Sequence, residues 1–465
     1  MTQPHQLVRA LSLTDASALV VGTVIGTGVF LKAAPMAQQV GSPMWVLIAW
    51  VAAGLLSLAG ALTYAELSAM MPDAGGEYVY LRKAYGEPAA FLFGWQRFVV
   101  GGSASIASLG VGFSIFLATV IKLDDFVWLE NDFKLLGQAI HWQFGLQQVI
   151  GVAVIALLTV INCFSVAFGG KVHVILTMLK ISGIAFIVLG IFLFSKETSW
   201  SNLATPSQSQ WNGLSAFGTA MLAALWGYDG WNNMPMAAGE VRDPGRNIPR
   251  ALILGMVAVM LIYCSLNLAY FYALPFEQVV TANSNMYREA PPVATRASQT
   301  FLGDYGGRIV AVVFMVSALG ALNGSILSNA RVPFAMARDR LFFKPFGLVH
   351  ATTRVPVLCL IFQGFWASVL ALSGTFDQLT NCLLFASWIF YALVTSSVFV
   401  MRYKFPTMER PYRAWGYPVI PLVFVLVAGW LIINTLISVP VESVAGLVMM
   451  GVGFPLYVYF RKSRS

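Results

Sequence analysis

The sequence predicts an all-α membrane protein of twelve transmembrane helices, on three observations. Of 465 residues, 58% are hydrophobic and 10% charged, more apolar side chain than one water-soluble core can bury. Apolar stretches of about 20 residues, the length that crosses a bilayer core, recur from end to end between short polar connectors. They show no alternation of lipid-facing and lumen-facing residues, and amides in hydrocarbon must be bonded within their own segment, so helices are expected and barrel strands are not.

The spans are expected at 14–39, 45–70, 87–121, 146–164, 171–195, 213–238, 248–274, 308–336, 355–373, 378–401, 418–438 and 441–460. The net charge of +8 reads as topology once each Lys and Arg is placed. Nineteen fall on the side of the N-terminus, from Arg9, Arg82 and Lys83 through Arg331 to Arg464. Seven fall opposite: Lys32, Lys122, Lys134, Lys196, Arg288, Arg296 and Arg308. That bias assigns both termini to the cytoplasm of a cell-membrane protein and leaves nucleic acid no role. No small-residue cleavage site follows the polar N-terminal stretch, so the first span is expected to be retained. Cys163, Cys264, Cys359 and Cys382 lie in apolar runs and form no disulfide framework or metal spacing.

In the first span, Val24-Ile25-Gly26-Thr27-Gly28 places two glycines and a threonine between apolar halves. In the sixth, Trp226-Gly227-Tyr228-Asp229-Gly230 is a second glycine-flanked polar break. These spans open two successive five-helix sets, 14–195 and 213–401, with 418–460 left as an accessory pair. Breaks at matching points of two halves point to an inverted-repeat transporter with its site near the midplane. A broken helix frees amides at the start of its second half, near Val29, that suit a carboxylate. The carbonyls around Val24, Ile25 and Trp226 suit an ammonium, so the pair reads as a receptor for a zwitterion. Taken singly, Gly26 and Gly28 read as well as close-packing residues and Asp229 as a helix cap.

Two basic residues lie inside spans. Arg97, roughly 15 Å along the third span, reads equally as a snorkelling or helix-bridging arginine and receives no role. Lys180, about 14 Å into the fifth, needs partners or water at that depth. Unless it snorkels, it is expected to stand beside the break of the first span where a sodium ion would otherwise bind. The eighth span carries Ser317, Asn323, Ser325, Ser328 and Asn329, which bond neighbouring helices or supply partners to Lys180; Asn323 and Ser325 are the candidates for a conformational role.

At these residues the chain resembles the amino acid–polyamine–organocation superfamily, and within it the L-type amino-acid transporter branch in its bacterial form. The matching stretches are IGTGVF at 25–30 (the family's usual form being IGSGIF), YAEL at 64–67 and GGEYVYLRKAYG at 75–86. They continue with WGYDGWNN at 226–233, GEVRDPGRNIPRAL at 239–252, NGSILSNAR at 323–331 and ERPYRAWGYP at 409–418. The resemblance implies a LeuT-like core of ten helices plus two and sodium-independent amino-acid movement, often by exchange. It implies substrate contacts at Val24, Ile25, Gly26, Thr27, Gly28, Trp226, Gly227, Tyr228 and Asp229. Thr27 stands where serine is commoner. Eukaryotic relatives attach a glycoprotein heavy chain through a cysteine after the third span; residues 122–145 contain none, so no disulfide-linked partner is expected.

A neutral amino acid is the expected substrate, moved by exchange, with no cofactor and no metal. Proton symport, and acceptance of dibasic substrates through Asp229, stand as alternatives. A channel would need a symmetric filter or charged rings, and an enzyme a catalytic constellation that the scattered His5, His141, His173 and His350 do not make.

Overall fold

Apolar runs in hydrocarbon satisfy their amides by coiling, and the chain does so along most of its length. The computed structural model describes residues 7–118, 120–121, 126–135, 138–196, 198–204, 213–284, 286–287, 290–373, 376–438 and 440–463. His5, Lys122, Arg288 and Arg464 lie outside them. Ten helices among the described residues are long and apolar enough to cross a membrane: Leu13–Leu31, Pro43–Met70, Glu87–Ala118, Leu146–Phe164, Val166–Phe194, Pro244–Ala273, Tyr305–Arg338, Phe385–Lys404, Val419–Ile437 and Ser443–Lys462. The other two expected spans are shorter. The sixth coils as Gly213–Tyr228, 16 residues, and then breaks; the ninth is Val357–Ser373, 17 residues, begun by Pro356.

One connector corrects the all-helical expectation. Residues read as a loop after the third span form an antiparallel hairpin of β1, Val127–Leu135, and β2, Gln138–Gly145, with Val127 opposite Gly145 and Leu135 opposite Gln138. Open strand edges are tolerable there because the hairpin lies between spans and not within one.

The first span packs on the fifth, seventh and eighth, and the eighth also on the third. Large aromatic residues, including Phe30, Trp50, Tyr64, Tyr228 and Tyr263, fill the centre, while Leu157, Leu193, Leu254, Leu426 and Ile437 face outward and more than half exposed. An apolar exterior over a polar-spotted interior suits lipid as solvent. Cys359 is buried and Cys163 and Cys264 half-buried, all as free thiols.

The face that carries the N-terminus is laced by charge. Arg331 and Glu240, both fully buried, pair at 2.9 Å; Arg82 meets Asp339 at 2.6 Å; and Glu66 receives Arg402 at 2.7 Å and Arg410 at 3.5 Å. There too the segment ahead of the first span is stitched to the segment after the sixth. Leu11 donates its amide to Glu240 O and accepts from the Arg242 amide, both at 2.9 Å.

Candidate functional site

The first span coils to Val24, bends through Ile25-Gly26-Thr27, and coils again from Gly28. The Gly26 amide, which an unbroken helix would hand to Gly22 O, turns to Val24 O at 2.8 Å. Beyond the bend, Phe30 donates to Thr27 O at 3.3 Å, and the Gly28 and Val29 amides ahead of it have no acceptor within their own helix. The sixth span stops at Tyr228 and resumes as the short helix Asn233–Met236.

The two breaks touch backbone to backbone. A Cβ on Gly28 would fall 2.6 Å from Gly227 Cα, and one on Gly230, whose φ is +112°, 2.8 Å from Thr23 O. Only glycine permits this crossing. The Thr23 hydroxyl lies 2.9 Å from Gly230 O, and the Tyr263 hydroxyl of the seventh span lies 2.9 Å from Val24 O and 2.7 Å from Gly227 O, one proton between two carbonyls.

Beside the crossing is a narrow cavity lined by Thr23, Val24, Gly26, Thr27, Gly28, Ser105, Leu109, Trp226, Asp229, Gly230, Asn233 and Ser325. Of the residues expected at a site, Val24, Gly26, Thr27, Gly28, Trp226, Asp229 and Ser325 line it. Ile25, Gly227, Tyr228, Lys180 and Asn323 do not. Tyr228 turns away, its ring 5.8 Å from Trp50 and 5.0 Å from Tyr263. Ser105, Leu109 and Asn233 line the cavity without having been singled out in the sequence; a serine within an apolar span was the available signal for Ser105.

The cavity's polar groups are few. The Thr27 hydroxyl is buried and has no hydrogen-bond partner. Asp229 accepts the Tyr391 hydroxyl of the tenth span at 2.5 Å. It caps nothing: the N-cap of the following short helix is Asn232, which makes no side-chain cap bond. The carbonyls expected to receive an ammonium are engaged by the protein. Val24 O takes the Gly26 amide and faces Tyr263; Ile25 O receives Lys180 at 2.5 Å and lies 2.9 Å from the Ser317 hydroxyl.

Lys180 is fully buried in the fifth span, and its ammonium lies 2.8, 2.5 and 2.9 Å from the carbonyls of Gly22, Ile25 and Ser317. Three acceptors use all three N–H donors of an ammonium. Gly320 makes the room, since a Cβ there would lie 2.8 Å from Lys180 Cε. Asn323 and Ser325 do not touch this lysine. Asn323 accepts from Asn162 at 2.7 Å and donates to Gly169 O at 3.2 Å, tying the eighth span to the fourth and fifth, and Ser325 faces the cavity. Two turns from Lys180, buried His173 meets Ala18 O at 2.9 Å through Nε2, and a Cβ on Gly22 or Gly324 would fall within 2.3 or 2.6 Å of its ring. Arg97 bridges, rather than snorkels: it sits in a π-helical turn, Gln96–Gly101, and donates to Asn329 Oδ1 at 2.7 Å and Asn233 Oδ1 at 2.5 Å.

Residues 11–458 match the family model described as amino acid permease. The chain is 32% identical to the serine/threonine exchanger SteT of Bacillus subtilis (strain 168), covering 100% of this chain and 99% of the relative. It is 28% identical to the human b(0,+)-type amino acid transporter 1, over 93% of this chain and 84% of that one. It is 26% identical to the human cystine/glutamate transporter, over 98% and 86%.

Proposed function

The chain belongs to the amino acid permease family, and from that premise we propose that it is a sodium-independent exchanger of neutral L-amino acids bound between the two broken spans. The observation that carries this reading is the crossing of those breaks beside a cavity whose wall offers an unpartnered buried hydroxyl, Thr27, and the open first-turn amides at Gly28. A substrate carboxylate fits that end, where the helix dipole is positive and donors are unspent. Because Val24 O, Ile25 O and Trp226 O already have protein donors, the ammonium falls to the Asp229 carboxylate at the sixth-span end. The remaining wall, Ser105, Asn233 and Ser325 with Leu109, suits a short side chain that carries a hydroxyl.

Lys180 supports independence from sodium. Its ammonium brings a fixed positive charge to the carbonyls beside the first break, where a coupling cation would otherwise be required. The fold reading is twelve spans, counting the helices Gly213–Tyr228 and Val357–Ser373 with the ten long ones, arranged as two five-helix sets over 14–195 and 213–401 with 418–460 accessory. The excess of Lys and Arg at the N-terminal face puts that face in the cytoplasm of the cell. The absence of cysteine from 122–145 supports a permease that works without a disulfide-linked heavy chain. A second reading, acceptance of dibasic substrates, draws on Asp229 lining the cavity.

The test is counterflow into proteoliposomes holding this protein alone, with labelled amino acids and with analogues lacking the carboxylate or carrying a blocked amine. Free neutral amino acids are expected to exchange with and without sodium, and the analogues to compete poorly. Equal competition by the amine analogue would remove Thr27 and Gly28 as the carboxylate site. Exchange that requires sodium would overturn the role given to Lys180.

A further inference from the structure

Glu77 opens the short helix Glu77–Tyr85 between the second and third spans, outside both, and is fully buried. The two glycines ahead of it bring it inward. Gly75, at φ +105°, donates to Met236 O at 3.0 Å; Gly76, at φ +47°, leaves no room for a Cβ, which would fall 2.8 Å from the Met236 amide and the Pro235 carbonyl. This loop is therefore pressed against the helix that follows the break of the sixth span. Within the break, Asn232 donates to the two carboxylate oxygens of Glu77 at 3.2 and 3.3 Å, and Tyr64 of the second span donates to one of them at 2.9 Å. Trp231 packs edge-on against Tyr64, its ring centroid 4.6 Å away.

No Lys, Arg or His forms an ion pair with Glu77 among the described residues. The charged and titratable groups facing it are Tyr64, Tyr80 on its own helix, Arg97 from the third span, Asp229 from the break and Tyr391 from the tenth span. Arg97 spends donors on Asn329 and Asn233, and Tyr391 on Asp229. Asn232 Oδ1 is buried without a partner. Tyr64 O–H and Asn232 N–H are both donors, which a carboxylate receives on either oxygen. A proton on Glu77 turns one of those acceptors into a donor, and Asn232 then loses one of its two contacts in a setting where an unmade bond is costly.

We infer that Glu77 is a proton-binding positioning residue of the exchange cycle: ionised, it takes the Asn232 amide on both oxygens and holds residues 229–233 in the substrate cradle, and neutral, it lets them loosen. The inference rests on the exchanger reading above. Burial raises the Glu77 carboxyl, against the pull of Arg97, Tyr64 and Asn232, to about 7, so the group is mostly neutral below that pH and mostly ionised above it.

The experiment is exchange of a neutral amino acid in proteoliposomes buffered equally inside and outside from about pH 5.5 to 8.5, on wild type, Glu77→Gln and Tyr64→Phe. The wild-type KM is expected to fall about fivefold as pH climbs through 7, the equivalent of one hydrogen bond. Glu77→Gln, a permanent mimic of the neutral acid, is expected to keep the low-pH KM throughout. Tyr64→Phe, which removes a donor that favours the ionised form, is expected to move the inflection to higher pH. A flat wild-type profile, or a Gln variant with the wild-type slope, overturns the inference. Should the Gln variant fail to insert, an unmoved inflection in Tyr64→Phe does so. Exchange that persists without pH dependence leaves the transporter reading standing, and absence of exchange at every pH removes that reading instead.

Discussion

Replacing Lys180 by methionine keeps the apolar stem as far as Cε and removes the ammonium with its charge and donors. Three contacts disappear, to Gly22 O, Ile25 O and Ser317 O at 2.8, 2.5 and 2.9 Å. Their losses are unequal. Ile25 O keeps the Ser317 hydroxyl at 2.9 Å, and Ser317 O lies within a continuous helix. Gly22 O is stranded, because the Gly26 amide that would meet it turns to Val24 O. A buried hydrogen bond to a charged group contributes about 1.5–3 kcal/mol, so one full loss and two partial ones come to roughly 3 kcal/mol, or about a hundredfold at 1.4 kcal/mol per decade. The loss falls on the conformation in which the first break is braced against the eighth span. Exchange by purified Lys180→Met should therefore drop about two orders of magnitude while insertion and overall helix content stay as in the parent. Lys180→Arg should not rescue it, since the planar guanidinium delivers its donors elsewhere and the Gly320 backbone walls the site. Exchange by the methionine variant within threefold of wild type would refute the reasoning, as would a wild type that needs sodium.

Gly28→Ala should abolish exchange, because its Cβ would sit 2.6 Å from Gly227 Cα and neither backbone can yield; retained turnover at half the parent rate would contradict the crossing. Thr27→Val should raise KM about tenfold, the least expected for a hydroxyl donating to a charged carboxylate, whereas Thr27→Ser should stay near wild type in the same uptake assay. Asp229→Asn should raise the KM of neutral substrates about tenfold, since it removes the charge that faces the shared ammonium; intact neutral exchange with a fall confined to arginine or lysine uptake would assign Asp229 to a dibasic side chain instead. Arg331→Met should cost about 3–5 kcal/mol by leaving Glu240 buried and unpaired, seen as a lower thermal midpoint in detergent, and adding Glu240→Gln should restore much of it.

What the sequence disclosed follows the strength of each local signal. Hydrocarbon imposes a length and a polarity on every span, so the ten long helices stand out in the order of residues. A lysine among Leu176, Met178, Leu179 and Ile181 is conspicuous for the same reason. The glycines at 28 and 230 mark the breaks because a backbone crossing admits nothing larger, and Gly227 because a Cβ there would meet the Trp50 ring. The use made of the freed carbonyls was not legible. Tyr263, which faces Val24 O and Gly227 O, reads locally as one more aromatic in an apolar run, and its role exists only where three spans meet. Glu77 and Asn232 are likewise ordinary polar residues until folding closes the distance between them. His173 was counted among scattered histidines, since nothing near it in the chain marks Gly22 and Gly324 as the slots that receive it. The hairpin at 127–145 was missed although Ile140-His141-Trp142-Gln143-Phe144 alternates, because so short a run is a weak signal between two long apolar spans.

The first and sixth spans are tied at several heights: by the Leu11 segment and Glu240 at one end, by Thr23 and Gly230 in the middle, and by Tyr263 across Val24 and Gly227. On the exchanger reading, two elements riveted in this way are expected to move as one rigid piece, with a gap to either side of the membrane opening between that piece and its neighbours. The contacts it makes with the amino acid's backbone are then the same whichever compartment is being served. An unequal affinity on the two sides would have to be written in the walls that stay behind, Ser105 and Leu109 of the third span and Ser325 of the eighth, so substitutions there should change the ratio of inside to outside KM, while Thr27→Val should shift both in proportion.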